Sequence, residues 1–413
     1  MASCSGYNGL KSDDGEMSFY RKDALSVVTF KIVYNQEAYK KKHFLEFKPT
    51  MAHQIFGESE SVFGYRSLSI ALYFLHNSCN CYVDVKSSGR ISSLYKADNI
   101  MENMNSWLPE NFTTDERKFL ELLDKEKHDL VFGSILAEFK DTKTNQLFRE
   151  KQVHATYKIT LCDVNDESFK DFHRRFETFI VWYIDGANFI DLEDERWLIF
   201  YVYEEIIDPE TKRSYITPVG FCSVYKFFAY PSNIRPRISQ FFILPSHQRR
   251  GIGKMLYGTV MNKLRDMPEV VDVTVEEPTT TFQRMRDLDD CLSIHHALKD
   301  TKVYTITSSP KKIYEVMRKY KICKKQCQRI YDILLGSETS KKNEEYRNYL
   351  NSIKKRISAD AERESRGSKR LCNVEGLTLK MEHTDKNGLI EAEYKKYVDD
   401  IEQSIISFKK YKK

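Results

Sequence analysis

Residues 248 to 253 read Gln-Arg-Arg-Gly-Ile-Gly, two glycines separated by a single isoleucine with a pair of arginines ahead of them. The run Arg237 to Leu244 before them reads as a strand, and Lys254 to Leu264 behind them as a helix. A strand that turns into a helix leaves the first helical N–H groups without intrahelical partners, at the positive end of the dipole. Glycine there presents no side chain to an approaching ligand and takes φ > 0 readily. Such a turn suits a pyrophosphate, so Gln248, Arg249, Arg250, Gly251, Ile252, Gly253 and Lys254 are candidate binding residues. The dinucleotide pattern G-x-G-x-x-G does not fit, because its third glycine is missing. A Walker loop does not fit either, since Lys254 is followed by Met255, which has no hydroxyl for Mg²⁺.

A second chemical group closes the stretch Pro268 to Thr280, PEVVDVTVEEPTT, which reads as an apolar strand ending in Glu276 and Glu277. A carboxylate at the end of a strand beside the glycine loop is placed to remove a proton from a nucleophile. Glu277 adds a like charge next to Glu276. Away from that loop, the same pair would be two solvated glutamates before a turn.

The elements that must position these groups follow from periodicity. Alternation over Ser26 to Tyr34, and the apolar runs Leu68 to Phe74 and Cys81 to Val85, predict strands, while Thr114 to Lys127 predicts a helix. Helical spacing recurs over Phe169 to Tyr183. Three strands follow at Trp197 to Ile206, Thr217 to Ala229 and Arg237 to Leu244, and Thr281 opens another helix. Beyond Cys291 the pattern is helical, over Lys312 to Leu335 and Glu344 to Ile357, with residues 359–371 reading as a flexible basic linker and Leu389 to Phe408 as a last helix. The expected class is α/β (α+β), in three regions: a mixed α/β part over 1–145, a catalytic part over 146–292 and a basic helical part over 293–413.

Composition bounds the classes. The 413 residues are 41% hydrophobic and 13% aromatic, ample for buried cores. No apolar run approaches the roughly 18 residues of a membrane span, and the first residues lack a secretory leader. Nine cysteines spread along the chain fit reduced thiols, and none has partners at metal-ligand spacing, so no metal is expected. Residues 311–413 carry 26 Lys and Arg against 16 Asp and Glu, a net +10, while residues 1–310 carry 39 against 44, a net −5. A mildly acidic body suits a basic substrate.

The loop at Gln248 to Gly253 resembles the coenzyme A loop of the GCN5-related N-acetyltransferases (GNAT). A closer resemblance rests on Ile238 to Pro245 with Gln248, on Val273-Thr274-Val275-Glu276-Glu277-Pro278, and on Arg286-Asp287. With Asp194-Glu195-Arg196-Trp197, His53-Gln54-Ile55-Phe56-Gly57 and Phe63-Gly64-Tyr65, these are similar to the catalytic subunit of type B histone acetyltransferases, over about residues 45 to 360. Ile252, Lys254 and Glu277 depart from the usual pattern, at positions that tune rather than perform the chemistry.

The resemblance implies a GNAT-type mixed central sheet and acetyl-CoA as co-substrate. The backbone of Phe241, Phe242 and Ile243 would hold the pantetheine, and Glu276 would act as base on a lysine amine, with an acidic residue at Asp185 as another candidate. It implies as substrate the N-terminal tail of newly made fourth core histone (H-four). Glu58, Ser59 and Glu60 would meet its charge, and Tyr225, Lys226 and Phe227 would line its path. A WD-repeat histone chaperone is the implied partner, with residence in nucleus and cytoplasm and no need of nucleic acid. Two rival functions stand beside this: acetylation of other amines or non-histone proteins, and a non-catalytic histone- or nucleic-acid-binding scaffold.

Overall fold

The computed structural model describes residues 17–141, 146–148, 151–300, 310–339, 343–375 and 386–412. Residues 1–16 of the polar N-terminal stretch lie outside that set. The chain forms two compact units, one of residues 1–226 and 238–260, the other of 227–237 and 261–413. Position 145, expected as a boundary, lies within the first of these units, and position 292 inside a helix.

The first unit opens with β1 (Arg21–Asp23), β2 (Val28–Val33), β3 (Leu45–Phe47), helix α1 (His53–Phe56), β4 (Ser61–Phe63), β5 (Leu68–Leu75), β6 (Cys81–Ser87) and helix α2 (Glu116–Asp124). Strands β3-β2-β5-β6 make a mixed sheet in which β2 and β5 run parallel and the other pairs antiparallel. Seven of the eight residues of β5 are buried, which is why it reads as an unbroken apolar run rather than an alternation.

The chain continues through β7 (Ser134–Lys140), the small hairpin β8 (Gln146–Phe148) and β9 (Lys151–Val153), β10 (Ala155–Cys162), helix α3 (Glu167–Glu177), β11 (Trp197–Ile207), β12 (Ser214–Ala229), β13 (Asn233–Ile243) and helix α4 (Ile252–Asp266). A second sheet runs β13-β12-β11-β10-β7. Its edge strand β7 precedes residue 145, so the expected N-terminal region supplies part of the second sheet. The two sheets share one core. Phe179, fully buried, touches Phe30 (5.5 Å between ring centroids) and Phe74 (4.4 Å) of the first sheet and Phe242 (6.3 Å) of the second. Aromatic pairs at such spacings add to the area they bury.

In the second unit the tip of the β12–β13 hairpin lies beside Val270 to Thr274: Ile234 bridges Val270, and Arg235 binds Asp272 through Nε at 2.6 Å. The apolar stretch predicted as a full strand from Pro268 is regular only over β14 (Thr274–Val275). Charged Asp272, Glu276 and Glu277 flank it, and Glu277 takes φ +33°, which ends any extended run.

Five helices follow: α5 (Thr280–Asp300), α6 (Pro310–Lys319), α7 (Lys324–Glu338), α8 (Glu344–Glu375) and α9 (Lys386–Tyr411). The periodic stretch Lys312 to Leu335 is two helices, broken where Lys321 takes φ +55°. Residues 359–371, expected as a linker, are instead the continuation of α8, since Ala, Glu and Arg there favour a helix once one has started. Ile294, Ile313, Met317, Ile330, Ile333, Ile401 and Phe408 form the core of this unit.

Candidate active site

Strand β12 is bent where it runs beside the end of β13. Its pairing with β11 slips between Val202 and Tyr203, leaving Val219 as an extra residue. The Leu244 N–H, just past the end of β13, donates to the Val219 carbonyl at 2.8 Å. A bulge of this kind bends its strand and is common beside active sites. Gly220 next to it must be glycine: a Cβ would stand 2.4 Å from the Phe242 carbonyl oxygen.

The glycine turn then forms from residues brought together within the first unit. Gln248 Nε2 donates to the Ile243 carbonyl at 2.9 Å, tying the loop back to β13. Arg249 takes φ +62° and Gly251 φ +85°, and a Cβ on Gly251 would meet nothing within 4 Å. Open space at a left-handed glycine directly before a 15-residue helix, whose first N–H groups lack intrahelical partners, is a geometry suited to an anion. Ile252 is buried and anchors the helix; Arg249 is exposed beside the turn, and Lys254 is half-buried. Phe241 is half-buried, whereas Phe242 and Ile243 point into the core.

Arg250 faces inward. Its Nη2 lies 2.9 Å from Asp141 Oδ2, its Nη1 3.7 Å from Glu204 Oε1, and its guanidinium covers the Tyr157 ring. Glu204, 1% exposed, also accepts from the Tyr157 hydroxyl at 2.7 Å and sits 3.2 Å from His247 Nε2. The Arg250 charge is thus taken up beneath the loop rather than above it. Nothing in the motif spacing distinguishes an inward from an outward arginine.

The other face of β13 carries a second buried acid. Glu177, at the end of α3 and 2% exposed, accepts from the Ile190 N–H at 2.9 Å and lies 3.5 Å from Gln240 Nε2. Gln240 in turn donates to the Asn188 carbonyl at 2.8 Å and is bonded to Ser223. Burial pushes the Glu177 carboxyl up to about 7, against the pull of those hydrogen bonds. Neighbouring His173 is driven down to about 3, first by burial and then by Arg174. Its Nε2 is 3.9 Å from Glu177, beyond hydrogen-bond range. Glu177 lines a cavity of about 550 Å³ with Leu108, Pro109, Phe112 and Phe189. The available sequence signal for Glu177 is its place four residues after His173 on the apolar face of α3.

Asp185 lies between two attachments to β13. Two residues before it, the Tyr183 ring stacks on Phe242 at 5.3 Å; three residues after it, Asn188 receives Gln240. Asp185 Oδ1 meets His53 Nε2 at 2.9 Å. Glu60 is turned inward, its Oε1 accepting from the N–H groups of Ala52 at 2.5 Å and His53 at 3.2 Å. Glu58 and Ser59 are exposed, with Ser59 paired to Ser61.

Tyr225 is held by the Asp194-Glu195-Arg196-Trp197 segment. Its hydroxyl donates to Asp194 Oδ2 at 3.0 Å, Arg196 lies over its ring at 4.9 Å, and Trp197 meets it edge-on at 4.8 Å. Hydrogen bonds from Arg196, above all its guanidinium, hold the Asp194 carboxyl well below the usual range. Lys226 is half-buried.

The second unit holds the remaining candidates. Glu276 and Glu277 are exposed at and after the end of β14. Phe227, under the Arg237 guanidinium at 4.7 Å, helps line a cavity of about 430 Å³ with Phe228, Tyr230 and Val271.

Two family descriptions match the chain: "Histone acetyl transferase HAT1 N-terminus" over residues 20–185 and "Acetyltransferase (GNAT) family" over 157–284. A Homo sapiens histone acetyltransferase type B catalytic subunit is 29% identical over 372 residues, covering 87% of each chain. A Dictyostelium discoideum protein of the same description is 27% identical over 426 residues, covering 96% of this chain and 89% of its own. Among solved structures, an aminoglycoside acetyltransferase from an uncultured soil metagenomic sample is 22% identical, covers 32% of this chain and 83% of its own, with a TM-score of 0.22. The matched segments contain the bulged strand, the glycine turn and the N-terminal sheet described above, and over most of its length this chain is similar to the type B histone acetyltransferase catalytic subunits.

Proposed function

We propose that the chain transfers the acetyl group of acetyl-CoA to lysine ε-amines in the N-terminal tail of newly synthesised, free histone H-four. The observation that carries the coenzyme half of this reading is Gly251, left-handed and open to solvent space at the head of α4. Similarity to the type B histone acetyltransferase catalytic subunits and the acidic balance of residues 1–310 support the basic-peptide half.

Bound acetyl-CoA supplies an activated thioester. The backbone of Phe241 to Ile243 aligns the pantetheine in the manner of an added strand. One of those N–H groups polarises the thioester oxygen as charge develops there. The turn from Gln248 to Lys254 binds the pyrophosphate, with Arg249 the exposed arginine of the pair. Glu276 takes the proton from the lysine ε-ammonium, whose unperturbed pKa near 10.4 keeps the amine charged at neutral pH. Asp185 is the second candidate for that proton. Tyr225 to Phe227, with Glu58 and Ser59, border the path of the tail. A WD-repeat chaperone would present the histone, in cytoplasm and nucleus.

Incubation with acetyl-CoA, free histones and nucleosomes tests the reading, with modified sites mapped by mass. Labelling of free H-four with nucleosomes spared is expected. Preference for spermidine over a tail peptide would instead identify a small-amine acetyltransferase. The Glu276→Gln variant should lose about 10²- to 10⁴-fold in kcat while still binding the coenzyme; turnover near wild type from pH 6 to 9 would remove Glu276 as the base.

A further inference from the structure

The Asp185 carboxylate is 80% exposed, yet it is not left to wander. His53, the first residue of α1, holds it at 2.9 Å through Nε2, across 132 residues of sequence. On the other side of the same ring, His53 Nδ1 faces Glu60 Oε1 at 3.7 Å. Glu60 also receives the Ala52 and His53 backbone N–H groups, so its carboxylate fixes the start of α1 and thereby the imidazole. The charged groups that face the ring are therefore Asp185 from one segment and Glu60 from the other. The three side chains run in a row, with the ring in the middle. Among the described residues, no group of three or more His, Cys, Asp or Glu is placed to hold a metal ion.

α1 is itself firmly seated. Ile55 and Phe56 are buried, Phe56 packs against Trp182 at 6.3 Å, and Gln54 Nε2 donates to the Ala187 carbonyl at 3.0 Å. The loop bearing Asp185 is thus pinned to β13 by Tyr183 and Asn188, and to α1 by Ala187 and Asp185 itself. An exposed carboxylate on a short side chain samples several rotamers in water. A single directed hydrogen bond from a fixed ring selects one of them.

We propose that His53 is a positioning residue for Asp185, holding that carboxylate in the orientation that meets the incoming amine beside β13. The inference rests on the acetyltransferase reading above and on Asp185 touching the substrate. It also reassigns Glu60 from a contact for the tail to the support of His53. The imidazole acts by donating Nε2–H, an action that a glutamine side-chain amide at the same reach reproduces.

The test is a double-mutant cycle with His53→Ala, His53→Gln, Asp185→Asn and His53→Ala/Asp185→Asn. Turnover is measured on an H-four tail peptide at saturating acetyl-CoA, and coenzyme binding by calorimetry. The expected result is a loss of about 10-fold in kcat for H53A, recovery to within about 3-fold of wild type for H53Q, and no more than about a 2-fold further loss when H53A is added to D185N. Coenzyme affinity stays unchanged throughout. Multiplying losses in the double variant, equal impairment of H53A and H53Q, or a D185N enzyme as fast as wild type would each overturn the proposal. If H53A does not fold, H53Q against D185N still decides, because a donor at position 53 must matter only when Asp185 is present. A wild-type protein inert on the peptide would count against the function itself, not against this pairing.

Discussion

The helical unit and the neighbourhood of β13 both bury carboxylates, and they treat them differently. In the helical unit, Asp287 of α5 is fully buried and meets Arg329 through both oxygens at 2.9 and 2.7 Å, with Gln283, Gln326 and Ser404 adding hydrogen bonds. Arg329 also reaches Asp400 of α9, and Asp332 of α7 binds Arg356 of α8 and the Tyr397 hydroxyl of α9. Every one of these acids has an arginine. Beside β13, Glu177 has only amides, and the nearest ring, His173, is driven towards neutrality. Charge is structural among the helices and poised beside β13. A buried acid bound to a guanidinium knits helices together; Glu177, without one, becomes protonatable near neutral pH.

The largest effect that could break this contrast is at the helical hub. Asp287→Ala leaves Arg329 with one of its two acids removed in a buried place, and should cost about 3–5 kcal/mol in urea unfolding of the full chain. A loss under about 1 kcal/mol would mean that Asp400 alone satisfies the arginine.

Glu177 should show the opposite sign. Its carboxyl rises from an unfolded value near 4.5 to about 7, so the folded state binds more protons between those values and stability falls as pH rises through that window. Above pH 7 the charged form costs the fold up to about 3 kcal/mol. Glu177→Gln, which keeps an acceptor for the Ile190 N–H, should therefore be more stable than wild type at pH 8, with the gap closing below about pH 5. Thermal unfolding across pH measures it; a constant gap would mean that the ionisation is not the cause.

A smaller effect sharpens the contrast within the coenzyme side. Glu204 is paired with cationic Arg250 but lies against the glycine turn, so its loss should act on binding rather than on the fold. Glu204→Gln is expected to raise the KM for acetyl-CoA by about 10-fold with kcat and the peptide KM little changed, the pattern of lost uniform binding. Equal effects on both substrates would place Glu204 among the merely structural acids.

Much of the fold was legible because its signals are local. The strands β5, β6, β11, β12 and β13 and the helices α4 and α9 lie where periodicity put them, within a few residues, while α3 ends at Glu177, short of the expected Tyr183. The misses have physical causes. Residues 359–371 carry no strong apolar stripe, yet an established helix continues through good helix formers, so α8 runs on. Val270 to Val275 has the apolar content of a strand, but Glu277 in a left-handed conformation and flanking charges cut it short. At the site, the glycine turn was readable from Gln248 to Gly253, whereas Arg249 and Arg250 are the same residue type side by side and point to different partners.

Sequence alone determined the chemistry on offer: a glycine-spaced strand-to-helix turn, acids at a strand end, and an acidic body joined to a basic tail. Those depend on residue type and short spacing, which the chain carries without folding. Only tertiary structure decided how the acids were used. Glu60 turned to cap α1, His53 met Asp185 across 132 residues, and Arg250 was drawn under its own loop. Each of those outcomes depends on which distant groups burial brings within hydrogen-bond reach, and no local pattern encodes that distance.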